Sequence, residues 1–186
     1  MSRSKYFLKL ESSYSFNEEG YVVPHGFCLA NPKVCEAILC NYSKLKEHSY
    51  GNFEGDLYYL IMSFEEICDT ALADYPLYKQ IMIDKIDGMQ NLQIQRDLEE
   101  CFGVTHSLEY ISSLWRKKIP KLIASAAEDQ ILDWHYLDVE KGKYKRCSRC
   151  GQIKLAHNKY FSKNKTSKDG FYSICKSCRN AKAKKS

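Results

Sequence analysis

The 186-residue sequence has no long apolar run. Stretches such as LYYLIM at Leu57–Met62 fall far short of the roughly 20 residues that span a bilayer. The N-terminus, MSRSKYFLKLESS, lacks the apolar segment of a secretory signal. No membrane partner is expected, and a cytoplasmic chain is, in a compartment where disulfides are disfavoured. Internal repeats and long low-complexity segments are missing. So are a Walker-type loop, a GxSxG elbow and a paired-carboxylate pattern, which leaves no catalytic residues to assign and argues against an enzyme. Acidic residues almost vanish near the C-terminus: Asp169 is the sole one in Lys141–Ser186.

What is present is charge of opposite sign in two places. Lys141–Ser186 carries 15 Lys and Arg against that one acid, a net +14, whereas Met1–Glu140 carries 13 against 22, a net −9. An acidic body with a basic tail suits a polyanion partner, most often nucleic acid. Hydrophobic residues at 44% of the chain allow a true core.

Residues 1–52 read as a mixed N-terminal region. KYFLKL and GYVVPHGFCL look like short strands, and PKVCEAILCNYSKL looks like a short helix opened by Pro32. SYGNFEG at Ser49–Gly55 reads as a turn-rich linker. Residues 53–140 read as a helical domain. Leu57, Leu60, Ile61, Phe64, Ile67, Cys68, Ala71 and Leu72 form one stripe at helical spacing. Pro76 suits the first turn of a second helix with Leu77, Ile81 and Ile86 inward, and Gly88 suits its end. Asn91 is placed to cap a third helix with Ile94, Leu98, Cys101 and Phe102 buried, and Gly103 ends it. Thr105 or Ser107 caps the next, and Pro120 either kinks that helix or begins another.

On a helix starting near Ser107, the spacing turns Leu108, Ile111, Trp115 and Ile119 to one side. Glu109, Tyr110, Ser113, Arg116 and Lys117 fall on the other, which gives an outer face of base-edge readers and phosphate binders. With Ile94 and Leu98 before the Gly103-Val104 turn, and Leu108 and Ile111 after it, this stretch resembles the helix-turn-helix of sigma factors, resolvases and many regulators. Its turn is about one helical turn longer than usual.

Residues 141–186 contain two CxxC pairs, Cys147–Cys150 and Cys175–Cys178, separated by 24 residues. Four thiolates in two close pairs suit one tetrahedral Zn²⁺ per chain. Gly151 follows the first pair where a knuckle turn needs no Cβ. Asp169-Gly170 is a hairpin turn between strands expected at Lys159–Phe161 and Phe171–Ile174, and CKSCRNAKAKK reads as a helix. The order of knuckle, hairpin and helix resembles a treble-clef finger. The stretch is similar to a small zinc module of phage and bacterial proteins, often attached to endonucleases of the HNH and endonuclease VII type. Besides the cysteines, that resemblance rests on Gly151, Lys154, Phe161, Lys168, Asp169, Gly170, Tyr172, Ser173, Lys176 and Arg179. The nuclease half has no counterpart: His135 and His157 stand isolated, and no His-Asn-His constellation follows. Lys143, Lys145, Arg146, Arg149, Lys163, Lys165, Lys168 and Arg179 are the expected phosphate contacts of the finger. Cys28, Cys35 and Cys40 fit no zinc spacing and read as buried thiols, as do Cys68 and Cys101.

The sequence therefore predicts a mainly α protein: a helical body with a helix-turn-helix, a small treble-clef or zinc-ribbon-like finger, and short strands near the N-terminus. The expected function is a phage-type transcription regulator that binds duplex DNA. Two alternatives stand beside it. One is an assembly or adaptor protein that binds RNA polymerase or a DNA-packaging complex through its acidic body. The other is an RNA-binding zinc module.

Overall fold

The structure is a computed structural model that describes residues 13–50, 55–136 and 143–183. It is mainly helical, with three small two-stranded sheets. The chain divides into two compact units. One contains Pro24–Asp129; the other contains Ser15–Val23 and the chain from Gln130 onward. The division differs from the three sequential segments expected. The helix of the N-terminal region belongs to the helical unit, and Ser15–Val23 belongs with the C-terminal one. The expected strand at KYFLKL lies outside the described residues. No helix among the described residues is long and apolar enough to cross a membrane.

In the helical unit, α1 (Pro32–Tyr50) starts where Asn31 accepts the Lys33 N–H and Pro32 supplies a fixed φ. It runs further than expected and takes in the first residues assigned to the linker. Helix α2 (Asp56–Ala71) buries Ile61, Phe64, Ile67 and Cys68, and Leu72 follows at its end. Leu57, Leu60 and Ala71 pack against the same core from its margin. Pro76 opens α3 (Pro76–Ile86) as expected, and Gly88 follows with a left-handed φ of 85°. Helices α1 and α2 pack together, and α1 also meets α3. Across the first pair, the Lys46 ammonium lies 2.8 Å from the Glu65 carboxylate and 3.0 Å from the Tyr42 hydroxyl, which itself donates to Glu65. Burial raises the Glu65 carboxyl, but the hydrogen bonds from Lys46 and Tyr42 outweigh it and hold the group below its usual value.

Helix α4 (Asn91–Phe102) is not capped by Asn91. Gln90 holds the cap position, its N–H donating to the Gln93 side chain at 2.8 Å. Asn91 is already helical, and its amide instead donates to the Leu108 carbonyl at 3.1 Å. Ile94 and Leu98 are fully buried, whereas Cys101 and Phe102 are exposed, which corrects their assignment to the core. The helix ends directly after them at the left-handed Gly103, so its last turn lies at the edge of the core. Ser107, not Thr105, caps α5 (Leu108–Ser113), accepting the Tyr110 N–H at 3.1 Å.

Pro120 is the second residue of a helix that continues directly from the one before. A π-helical turn at Leu114–Lys118 leads from α5 straight into α6 (Ile119–Trp134). Proline has no N–H to give the preceding turn, and its ring crowds that turn's carbonyl. The chain responds by widening: the Ile119 N–H reaches back five residues to the Leu114 carbonyl. Across this turn Leu114, Trp115, Ile119 and Pro120 are buried while Arg116, Lys117 and Lys118 are exposed. Leu108, expected inside, is 38% exposed, and Leu114 is buried with Ile111 and Trp115.

In the other unit, β1 (Tyr14–Phe16) and β2 (Val22–Pro24) pair around a turn in which the Asn17 side chain accepts the Glu19 and Tyr21 N–H groups. Strands β3 (Tyr144–Arg146) and β4 (Ile153–Leu155) form an antiparallel hairpin around the first CxxC pair. Strands β5 (Phe161–Lys163) and β6 (Phe171–Cys175) form a second, so the first strand begins where the expected one ended. Helix α7 (Lys176–Ala183) carries Cys178 in its first turn.

Candidate metal centre and charged surfaces

The four cysteines meet although they come from three different elements. Cys147 and Cys150 lie on the turn between β3 and β4, Cys175 ends β6, and Cys178 lies in α7. Their sulfur atoms all fall within 4.8 Å of one another. A tetrahedral Zn–S distance of about 2.3 Å requires S–S edges of about 3.8 Å, so the four sulfurs fit a single metal ion. Gly151, at φ 71°, donates its N–H to the Cys147 carbonyl and closes the knuckle turn.

The electrostatics of the cluster point the same way. The Cys150 and Cys175 backbone N–H groups aim at the Cys147 sulfur, the latter at 3.3 Å, and bring its thiol down to about 5. Cys178 is pushed up to about 12 by its hydrogen bond with the Cys175 thiol and then by burial. Four crowded sulfurs cannot all ionise without a counter-charge, and a bound divalent cation supplies one. Around them, Phe161, Cys147 and Cys175 are fully buried and Tyr160, Phe171 and Ile174 pack on their margin. Among the described residues the other cysteines form no comparable group. Cys28, Cys35 and Cys68 are buried, as expected, and Cys40 is exposed. Cys35 donates its thiol to the Leu29 carbonyl at 3.1 Å.

The basic residues of the finger are not equivalent. Lys145 is largely withdrawn from solvent. Its ammonium lies 2.6 Å from Asp169 and 2.9 Å from the Phe171 carbonyl, and over the Phe161 ring. It braces the two hairpins. Asp169 also accepts the Ser167 hydroxyl and the Phe171 N–H, and these contacts with Lys145 hold its carboxyl well below the usual range. Arg146 donates to the Gly151 carbonyl and Arg149 to the Cys178 carbonyl, yet both residues remain exposed. Lys143, Lys163, Lys165 and Lys168 are exposed. Arg179 is exposed, and its guanidinium lies over the Tyr172 ring.

On the helical unit, Glu109, Ser113, Arg116 and Lys117 line one open hollow of about 420 Å³, completed by Asn91, Leu108 and Ser112. The Glu109 carboxyl is held below its ordinary value by its own backbone N–H and by the Ser107 hydroxyl. Tyr110 lies apart from this lining. It packs against His106 at 4.7 Å. Burial, and then the nearness of Tyr110, raise the Tyr78 phenol above its usual value, and Tyr78 stacks on Tyr75 at 5.3 Å. Sequence reasoning missed Asn91 and Leu108 as partners across the turn, because their meeting depends on the path of Gly103–Ser107.

His135 and His157, isolated in sequence, are bridged in space. Phe16 stacks on His135 at 3.9 Å, and Tyr136 lies 5.2 Å from His135 and 4.9 Å from His157. Gly20 closes the group. A Cβ there would meet the Tyr136 hydroxyl at 2.2 Å and His157 Nε2 at 2.8 Å.

Comparison of the chain with protein-family models, curated proteins and solved structures finds no match.

Proposed function

We propose that the protein is a zinc-containing nucleic-acid-binding protein of the regulatory type, with α4 and α5 acting as a helix-turn-helix and the Cys147, Cys150, Cys175 and Cys178 module as a treble-clef-like zinc finger. The single observation that most supports this reading is the shared hollow of Glu109, Ser113, Arg116 and Lys117. It faces solvent while Ile111, Leu114 and Trp115 of the same helical run are buried. A guanidinium can take guanine edges or phosphate, an ammonium takes phosphate, and an ionised carboxylate can accept from cytosine N4. Duplex DNA is the proposed ligand, with base reading by the α5 face and phosphate affinity from the finger. Control of transcription in a bacterial cytoplasm, by a phage-encoded chain, is the setting this reading proposes. Catalysis has no part in it.

The test is a salt titration of duplex binding by the full-length chain and by Arg116→Ala/Lys117→Ala. Each lost phosphate contact lowers the log–log salt slope by roughly 0.9, and a lost base contact costs about 1–3 kcal/mol and changes sequence preference. Unchanged slope, affinity and preference in a folded double variant would exclude α5 from the interface.

A second reading is favoured by the Tyr75–Tyr78–Tyr110–His106 series of rings on an acidic body. Tyrosine-rich surfaces suit protein partners. In this reading the body docks on a component of the transcription or packaging machinery and the finger anchors it to nucleic acid.

A further inference from the structure

Most large side chains of the finger have a structural reason for their position. Phe161 fills the space beside Cys147 and Cys175, and Tyr160, Phe171 and Ile174 pack on that nucleus. Tyr172 does not belong to it. It lies on β6 with 43% of its surface exposed, although β6 leads directly into the metal cluster at Cys175. The Arg179 guanidinium, from α7, lies over its ring at 4.6 Å from the centroid. Both residues are exposed, so a guanidinium and the ring it covers lie together at the surface. An exposed cation–π pair adds little to the stability of a fold and does not by itself account for this placement.

A second guanidinium is tied to the residue that precedes Arg179: Arg149 reaches from the knuckle turn to donate to the carbonyl of Cys178. Two guanidinium groups are thus each held by a protein group, one by a carbonyl and one by a ring. The exposed lysines of the finger have long, flexible stems and no such definition. An exposed ring under one guanidinium, with a second guanidinium tied to the adjoining residue, matches one chemistry: a nucleobase with its phosphate. Bases in a duplex offer only their edges, because their faces are covered by neighbouring pairs. An unpaired base offers its face.

We infer that the Tyr172–Arg179 pair is a platform for an unpaired nucleobase, with Arg149 for the adjoining phosphate, so that the finger engages single-stranded nucleic acid. This inference rests on the nucleic-acid-binding reading above and adds a ligand class to its finger. Stacking on an aromatic platform is sequence-tolerant and discriminates strandedness instead.

The experiment measures binding of a dye-labelled oligo-dT of about twelve nucleotides, an oligo-U of equal length and a blunt hairpin duplex with matched phosphates. The proteins are the full-length metal-loaded chain, Tyr172→Leu and Tyr172→Phe, with metal content and melting temperature recorded for each. Tyr172→Leu is expected to lose roughly five- to a hundredfold in single-strand affinity and to keep duplex affinity within about twofold. Tyr172→Phe keeps the ring and should bind as the parent does. The dT and U arms separate DNA from RNA as the source of the strand. Equal losses on strand and duplex, or no loss on either, would overturn the platform while leaving nucleic-acid binding in place. A parent chain that binds none of the three probes would overturn the broader reading as well. If Tyr172→Leu fails to load metal, Tyr172→Phe and Tyr172→His decide the matter. Both keep a flat ring, and a loss of single-strand binding in both folded variants would equally exclude stacking.

Discussion

Phe64 and Phe161 are both fully buried, but in different kinds of surroundings. Phe64 lies in a cluster that draws on every helix from α1 to α6. Around Phe161 the fully buried neighbours are two cysteines, and the rest are half-exposed rings and an isoleucine. The helical unit is held by apolar area, whose worth is about 25 cal/mol per Å² removed from water. The finger has too few residues for that; its buried centre is instead a cluster of four sulfurs that could hold one metal ion. A surface freed from covering a core can then carry charge nearly everywhere, which is how Lys141–Ser186 reaches +14.

Removing the metal should break the comparison most sharply. Structural zinc contributes on the order of 10–16 kcal/mol to small modules, more than such a module can replace. Cys175→Ser, or chelation of the parent, is expected to unfold the finger outright. Amide resonances of Phe161 and Phe171 should collapse to random-coil positions while those of Phe64 and Ile94 stay in place. Loss of both sets together would mean that the body depends on the finger. Elemental analysis should find about one zinc per chain.

The next largest effect lies in the body. Phe64→Ala should cost about 3–5 kcal/mol of its stability, read from urea unfolding, and leave the metal content of the finger unchanged. Phe161→Ala should do the converse, lowering metal affinity with little change in the unfolding of the helices.

These two units were unequally legible in the sequence. The helical stripes of α2 and α3 follow from spacing alone, since a period of 3.6 admits one buried face. The four-cysteine cluster followed from the paired x₂ spacing, because a tight turn brings two sulfurs to one point. What spacing could not supply was the effect of a single residue on the path. Pro120 is accommodated by one widened turn at Leu114–Lys118, and Leu108, on the apolar side by spacing, lies at the margin of the core. Nor could it supply meetings between distant segments. Ser15–Val23 belongs with the C-terminal unit, and the Phe16–His135–Tyr136–His157 group assembles from three stretches of chain. Among the expected phosphate contacts, Lys145 was indistinguishable from its neighbours until its ion pair with Asp169 was seen.

A smaller effect tests the turn that joins α4 to α5. Ser107 caps α5 by accepting the Tyr110 N–H. Ser107→Ala should cost about 1 kcal/mol of body stability, and Ser107→Asp should restore it. If the loss reaches the size seen for Phe64→Ala, the cap is holding the whole turn rather than one helix end.

The smallest effect concerns a charge inside the apolar unit. Asp84 in α3 is only 2% exposed; Gln80 donates to its Oδ1 at 2.7 Å, and Oδ2 has no hydrogen-bond partner. Burial raises its carboxyl above the ordinary value, the Gln80 amide opposes that, and the charges of Asp97 and Asp87 add to the rise. A carboxyl whose pKa is higher folded than unfolded favours the folded state when protonated. Its contribution is fully present below the unfolded value, about 3.9, and is lost as pH rises through the folded value. At pH 7 the buried anion therefore works against folding, and Asp84→Asn should raise the melting temperature. Other carboxylates, Glu65 among them, lose stability in acid, so the parent's own pH profile mixes opposite signs. The difference between parent and Asp84→Asn isolates this one. That gap should be widest near neutral pH and close as pH falls toward 4. A gap that stays constant with pH would mean that Asp84 keeps one protonation state throughout. A gap of opposite sign would mean that the carboxylate is matched by a positive partner, and that the helical unit, like the finger, is organised around a charge.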